Sequence, residues 1–125
     1  MRIIISHSSS EPIYKQIVYQ LKELILKGQL KAGDALPSIR NLAKELQISV
    51  ITTKRAYEEL EREGFIQTVQ GKGSFVATHN KEMLKKKKYS IVEEKLMEAV
   101  LAAKSLELTW NELIEILQQL YDKEA

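Results

Sequence analysis

The fold of this chain is constrained most by two helical patterns that only three residues separate. Strand-like sequence follows directly after the second pattern. The apolar residues of the first pattern recur at helical spacing from Ile39 to Leu46, and those of the second from Thr53 to Leu60. Gln47-Ile48-Ser49 separates them, and Ser38 and Ser49 stand where each helix needs an N-terminal cap. Two helices joined by such a short connection predict a helix-turn-helix.

The sequence after Gly64 changes period. Residues 65–69 and 74–78 are rich in β-branched and aromatic side chains, which favours two short strands. Gln70-Gly71-Lys72-Gly73 joins them, and its two glycines allow positive φ angles at a hairpin tip. We therefore predict a mainly α fold with a small β-hairpin wing, that is, a winged helix-turn-helix.

A further helix should precede this motif. Pro12 suits a first helical position, apolar residues then follow on one face, and Gly28 ends the pattern. The segment from Arg2 to Ser6 is short and β-branched, so we expect it to add a third strand at the edge of the hairpin.

The last third of the chain predicts a helical hairpin. Ser90-x-x-Glu93 and Thr109-x-x-Glu112 are capping boxes that each open a helix, with a turn at Leu106-Glu107-Leu108 between them. Two helices this short cannot bury their apolar stripe alone. The stripe must pack against a second copy, which we favour, or against the winged domain of the same chain. We thus expect a winged helix-turn-helix domain at 1–80 and a helical dimerisation tail at 81–125. The expected interface residues of the tail are Val92, Leu96, Val100, Trp110, Leu113, Ile114, Leu117, Leu120 and Tyr121.

Charge is unevenly distributed along the chain. Residues 1–80 carry 11 Lys and Arg against 8 Asp and Glu, whereas residues 81–125 carry 8 against 9. The basic front half suggests a polyanionic partner. Lys81 and Lys85 to Lys88 form either a second phosphate-binding patch or a solvated linker, and the sequence favours neither.

The inventory of reactive residues argues against several function classes. The chain has no cysteine and two isolated histidines, so it predicts no disulfide, no metal site and no cofactor. Gly71-Lys72-Gly73-Ser74 lacks the pattern of a phosphate-binding loop, and no catalytic constellation is visible, so we expect no enzyme. No apolar run is long enough for export or for a membrane span, and a cytoplasmic location is expected.

The second helix of the motif should expose a surface suited to a DNA groove. Opposite its apolar face lie Ile51 and Arg55, flanked by Thr52 and Lys54. Recognition helices contact base edges mainly through their N-terminal turns, so the stretch from Ser49 to Arg55 is the candidate reading surface.

Several motifs in order resemble the bacterial GntR family of transcription factors, and the short tail resembles its YtrA-like branch. The resemblance rests on Pro12-Ile13-Tyr14-x-Gln16-Ile17, Gly33-Asp34-x-Leu36-Pro37-Ser38-x-Arg40-x-Leu42-Ala43, Ser49 to Gly64, and Gln70-Gly71-Lys72-Gly73-Ser74-Phe75-Val76. It implies DNA contacts by Arg40, Ser49, Val50, Thr52, Lys54, Gln70 and Gly71. Val50 departs from relatives that carry a basic residue there, which suggests contact with a thymine methyl group, shared with Ile51.

The resemblance also implies a homodimeric repressor of a transporter operon that binds a GT…AC type palindrome in double-stranded DNA. The sequence does not identify an effector ligand. The alternative is a winged-helix adaptor for protein interaction, which the cationic residues disfavour. For Lys54, Arg55 and Lys72 the other interpretation is a solvated charge, with an Arg55–Glu59 ion pair on the helix surface. A salt-dependent gel shift separates the two functions.

Overall fold

The helix order follows the predicted motif closely. A computed structural model describes residues Met1–Glu124. In this part of the chain, five helices flank one antiparallel hairpin: α1 (Ile13–Leu26), α2 (Ile39–Leu46), α3 (Val50–Arg62), β1 (Ile66–Val69), β2 (Gly73–Val76), α4 (Lys81–Ser105) and α5 (Trp110–Glu124). The predicted winged helix-turn-helix is confirmed.

The core of the winged unit forms where α1 and α2 pack on α3. The apolar face of α1 buries Ile17 and Leu21 completely, and α3 contributes Leu60, which is also fully buried. Thr53 is a buried polar residue of α3, and its hydroxyl is satisfied because it donates to the Ser49 carbonyl at 3.1 Å. The opposite side of α3 therefore does not pack against the core.

The helix-turn-helix connection is fixed by side-chain caps and one unusual backbone angle. The hydroxyl of Ser38 accepts from the Asn41 amide at 3.1 Å at the start of α2, as predicted. Gln47 ends α2 in the left-handed conformation, with φ 57°. The chain then turns through Ile48 and begins α3 at once, so the angle between α2 and α3 is set locally.

The wing pairs β1 with β2 from Ile66↔Val76 to Val69↔Gly73. Gly71 and Gly73 have φ angles of 81° and 108°, which confirms that the tip needs glycine. Behind the hairpin, the loop before α2 runs along β2. An isolated bridge joins Ala35 to Phe75, and the Leu36 amide donates to the Ser74 carbonyl at 2.9 Å.

The predicted third strand at Arg2 to Ser6 is wrong. That segment pairs with side chains of α1 instead of with the hairpin, and the edge of β2 is already taken by the loop at Ala35. The amide group of Gln20 bonds to both the N–H and the C=O of Ile4, at 2.9 and 2.6 Å, and Gln16 does the same for Ser6. Two glutamines one helical turn apart thus satisfy the backbone that a neighbouring strand would have satisfied.

The predicted start of the first tail helix at the Ser90 capping box is also wrong. Helix α4 begins at Lys81, where the Asn80 side chain accepts from the Met83 amide at 2.8 Å and caps the first turn. Lys85 to Lys88 are therefore helical, so the linker, one of the two alternatives left open by the sequence, does not form. Lysine is a good helix former, and Ser90 lies exposed in the helix interior, where its hydroxyl is solvated.

The second capping box is confirmed. The Thr109 hydroxyl accepts from the Glu112 amide at 3.2 Å, and the Glu112 carboxylate accepts from the Thr109 amide at 2.9 Å. These two bonds hold the pKa of Glu112 below its ordinary value, with the backbone bond the larger cause. The turn before this helix contains Glu107 with φ 60°.

The chain divides into two compact units, Met1–Leu84 and a second one that begins at Lys85. The division falls inside α4, a few residues beyond the boundary expected from the sequence. Helix α4 has 25 residues but is too polar to cross a bilayer, and no other helix in the described range is long and apolar enough to do so.

Tyr57 gives the winged unit a specific sensitivity to alkaline pH. Its hydroxyl donates to the Pro37 carbonyl at 2.7 Å, and burial raises the pKa of Tyr57 above its ordinary value near 10. The neutral form is therefore favoured in the folded state. The stabilisation is fully present below about pH 10 and is lost as the pH rises further, because only the unfolded chain ionises there.

We expect Tyr57→Phe to lose about 0.5–1.5 kcal/mol of unfolding free energy at neutral pH and to show a shallower decline above pH 10. Urea denaturation at pH 7 to 11 measures both effects. Tyr19→Phe changes an exposed tyrosine of α1 and is the control. An unchanged alkaline decline in Tyr57→Phe would contradict this role.

Candidate nucleic-acid interface

The N-terminal turns of α3 form an exposed surface on one side of a rigid core. Thr53, Ala56 and Tyr57 are buried and fix the rotation of the helix about its axis. The side chains between them, Lys54 and Arg55, consequently point away from the core and are exposed. This arrangement confirms the predicted division of α3 into a packed face and a free face.

Ser49 and Thr52 are joined by hydrogen bonds at the start of α3. The Ser49 hydroxyl accepts from the Thr52 amide at 3.0 Å and donates to the Thr52 hydroxyl at 2.7 Å. Ser49 is thus used as the helix cap, as predicted. The Thr52 hydroxyl accepts this bond, which leaves its own hydrogen available to donate to an acceptor outside the protein.

Val50 and Ile51 expose branched apolar side chains at the tip of the same surface. Ile51 is 80% exposed and Val50 is 47% exposed. Exposed apolar side chains beside polar donors match the edge of a thymine, which offers a methyl group in the major groove. Both side chains are therefore accessible to a partner outside the protein, and the contact with a thymine methyl group stays a prediction.

Lys54 and Arg55 carry the positive charge in the N-terminal half of α3, and their surroundings differ. Within the described residues Lys54 has no hydrogen bond or ion pair, so its ammonium group is free. The Arg55 guanidinium lies over the ring of Tyr14, with its central carbon 3.9 Å from the ring centroid, and donates to the Tyr14 hydroxyl at 3.3 Å. The ion pair considered between Arg55 and Glu59 does not form, because Glu59 pairs with Arg62 instead.

The Glu59–Arg62 pair lies further along α3 and outside the reading surface. The Arg62 hydrogen bond is the main cause that lowers the pKa of Glu59, and the same pair raises the pKa of Arg62. Each side chain is thereby occupied by the other on the helix surface.

Two further cationic groups flank α3. Arg40 is exposed in the first turn of α2, and Lys72 is exposed at the wing tip between Gln70, Gly71 and Gly73. The tip is a tight turn in which the Lys72 amide donates to the Val69 carbonyl at 2.9 Å. Neither cationic side chain has an ion-pair partner within residues 1–124.

His79, two residues before α4, lies beside the turn that follows α3. His79 Nε2 lies 3.3 Å from the Gly64 carbonyl oxygen, and its ring is 6.3 Å from that of Phe65. For Lys81 and Lys85 to Lys88, the two predicted alternatives, a phosphate-binding patch and a solvated surface, both stay predictions.

The tail helices expose the predicted apolar stripe. Trp110 is 72% and Tyr121 79% exposed, and Leu117 is 48% exposed. On α4, Val92 and Leu96 are exposed as well, whereas Val100 is half-buried. Ile114 and Leu120 of α5 are also exposed, and Leu113 is half-buried.

Sequence reasoning missed the role of Tyr14. The residue stood in the motif Pro12-Ile13-Tyr14, but only the packing of α1 on α3 brings its ring to Arg55.

The described residues also contain no cluster of three or more histidine, aspartate or glutamate side chains placed to hold a metal ion.

A winged helix-turn-helix with this free basic and apolar surface defines the class of winged-helix DNA-binding proteins. Residues 13–76 match the family described as bacterial regulatory proteins, gntR family. The chain belongs to this GntR family, whose members are regulators of transcription and not enzymes.

Two curated relatives resemble the chain over most of their length. The HTH-type transcriptional repressor YtrA of Bacillus subtilis is 44% identical over 101 residues, which cover 81% of this chain and 78% of the relative. The uncharacterized HTH-type transcriptional regulator YhcF of the same species is 36% identical over 107 residues, with 86% and 88% covered. The predicted likeness to the GntR family and to YtrA is confirmed.

Solved structures extend the likeness to the tail. A transcriptional antiterminator from Listeria monocytogenes superposes with a TM-score of 0.74 at 34% identity over 97% of this chain and 90% of that chain. YtrA from Sulfolobus acidocaldarius gives a TM-score of 0.59 at 34% identity, with 97% of both chains covered. The AraR DNA-binding domain in complex with an operator gives 0.55 at 25% identity over 62% of this chain and 96% of that one.

Proposed function

We propose that the protein is a homodimeric transcriptional repressor that binds an inverted-repeat operator. In this proposal the first turns of α3 enter the major groove, and the wing tip and Arg40 contact the phosphate backbone. The observation that carries the proposal is the exposed start of α3, where apolar, hydroxyl and cationic side chains stand together on a helix held by a buried face.

The roles of the individual residues follow from their chemistry. Lys54 and the Thr52 hydroxyl present donors to acceptors on base edges, while Val50 and Ile51 present apolar surface to thymine methyl groups. Lys72, Gln70 and the exposed backbone of Gly71 at the wing tip suit the sugar-phosphate backbone or the minor groove. This combination favours a half-site rich in A·T pairs.

Dimerisation is supported by the apolar stripe of the tail. Six large apolar side chains of α5 lie along one face of a helix that has no fully buried residue in the monomer. Such a continuous apolar surface is unfavourable in water and is typical of a protein interface. A second copy offers the same stripe, so a two-fold pair of hairpins covers both at once.

A two-fold dimer presents two α3 helices and should bind two half-sites in opposite orientation. Their centres are expected about 10 bp or a multiple of it apart. The similarity to the repressor YtrA supports repression. The resemblance of the sequence motifs to the YtrA-like branch implies a transporter operon as the target, often one that includes the regulator's own gene.

The test is a gel shift with the promoter of the protein's own gene and random DNA of equal length at several salt concentrations, followed by footprinting. We expect specific binding that weakens with salt and a footprint with two-fold symmetry. Equal binding to both DNAs at every salt concentration would favour the adaptor function, and one protected asymmetric half-site at full occupancy would contradict the two-fold geometry.

A further inference from the structure

Where α1 packs on α3, the side chain of Arg55 stacks on the ring of Tyr14. Arg55 is exposed, yet its guanidinium carbon lies 3.9 Å from the centroid of the Tyr14 ring and one of its nitrogens lies 3.3 Å from the Tyr14 hydroxyl. Tyr14 is half-buried and stands in the first turn of α1. Its ring is therefore a fixed platform, whereas the arginine is a long side chain with many conformations of its own.

Stacking occupies the flat face of the guanidinium but leaves most of its donors unused. A guanidinium has five N–H donors in a planar fork, and Tyr14 uses one. Among the described residues Arg55 forms no ion pair with a carboxylate, and the first turn of α1 contains no acidic residue. The remaining donors are thus available to an anion outside the protein.

We propose that Tyr14 is a positioning residue for DNA binding: its ring holds the Arg55 guanidinium beside α3, where the free donors bind a backbone phosphate of the duplex. This inference rests on the proposed function, because it assumes that the start of α3 faces DNA. It adds a residue of α1 to a DNA interface that so far consists of residues of α2, α3 and the wing.

A phosphate fits this position better than a base edge. The stack draws Arg55 sideways toward α1, away from the tip of α3 where Val50 and Ile51 project. A guanidinium group held at the side of a recognition helix can donate two parallel hydrogen bonds to two oxygens of a phosphate at the border of the groove. The contact should therefore strengthen binding to operator and random DNA alike.

A double-mutant cycle on the full chain tests the proposal. Arg55→Ala, Tyr14→Leu, Tyr14→Phe and the double variant Tyr14→Leu with Arg55→Ala are titrated with operator and random duplexes at several salt concentrations. Tyr19→Leu, an exposed tyrosine elsewhere on α1, is the matched control. Thermal melting of each variant without DNA measures any loss of folding separately.

We expect Arg55→Ala to weaken binding about tenfold and to lower the salt slope by about one unit. Tyr14→Leu should weaken binding about 3- to 5-fold on both DNAs, the size of an exposed cation–π contact, and Tyr14→Phe should stay within about twofold of the wild type. The double variant should bind like Arg55→Ala alone, because a platform without its arginine has nothing to position.

Three results would overturn the proposal. An additional loss from Tyr14→Leu in the Arg55→Ala background would show that Tyr14 acts independently of Arg55. A Tyr14→Phe variant as weak as Tyr14→Leu would assign the effect to the Tyr14 hydroxyl and not to stacking on its ring. If Arg55→Ala binds DNA with wild-type affinity, Arg55 does not contact DNA and the inference fails. If that variant still prefers the operator over random DNA, the proposed function is unaffected.

Discussion

Leu117→Glu should prevent the proposed homodimer from forming and weaken operator binding by about 100-fold or more. Leu117 lies at the centre of the exposed stripe of α5, between Ile114 and Leu120 along the helix face. A dimer would bury the new carboxylate without a partner, which costs several kcal/mol. Loss of the dimer also removes the gain of binding two half-sites at once, which is about 10²- to 10⁴-fold.

Sedimentation velocity at micromolar concentration measures the oligomeric state, and titration of an operator duplex measures the affinity. Gln119→Glu adds the same charge on the opposite face of α5 and is the matched control. It should remain a dimer with wild-type affinity. A Leu117→Glu protein that still sediments as a dimer would show that the tail stripe is not the interface.

The second large effect separates reading from positioning on the DNA. Lys54 lies on the free face of α3 and should contact a base, whereas Lys72 lies at the wing tip and should contact phosphate. Lys54→Ala should therefore lose roughly 1–3 kcal/mol of binding free energy on the operator only. Lys72→Ala should weaken operator and random DNA alike and lower the salt slope by about one unit.

Titration of both variants on both DNAs at several salt concentrations distinguishes the two roles. Lys27→Ala removes the same charge at the C-terminal end of α1, where Lys27 pairs weakly with Glu23 at 3.8 Å, and it is the control for net charge. It should leave sequence preference intact. Equal losses on both DNAs for Lys54→Ala would contradict the assignment of a base contact to this residue.

The sequence predicts the winged unit well because its signals are local. Ser38 and Ser49 cap their helices as their positions indicate, and the glycines at 71 and 73 adopt the positive φ angles that a hairpin tip needs. The buried face of α3 also follows directly from helical spacing. Each of these features depends on residues within one or two turns of each other.

The errors arose where distant residues or competing caps decide the structure. The segment from Arg2 to Ser6 has strand-like composition, but the side chains of Gln16 and Gln20 satisfy its backbone, and no local pattern reveals that pairing. Ser90 forms a valid capping box in sequence, yet the Asn80 cap starts α4 earlier and lysines continue the helix through it. The stack of Arg55 on Tyr14 likewise requires the packing of two helices that are far apart in sequence.

Selection of bound fragments from random DNA by the full-length protein tests the central claim most directly, that a dimer reads an inverted repeat through the first turns of α3. After several rounds we expect an enriched pool that holds two inverted half-sites with centres about 10 bp or a multiple apart, with A·T pairs where Val50 and Ile51 would meet thymine methyl groups. A pool that shows no shared sequence after the same rounds, although the protein still binds DNA in low salt, would contradict the account.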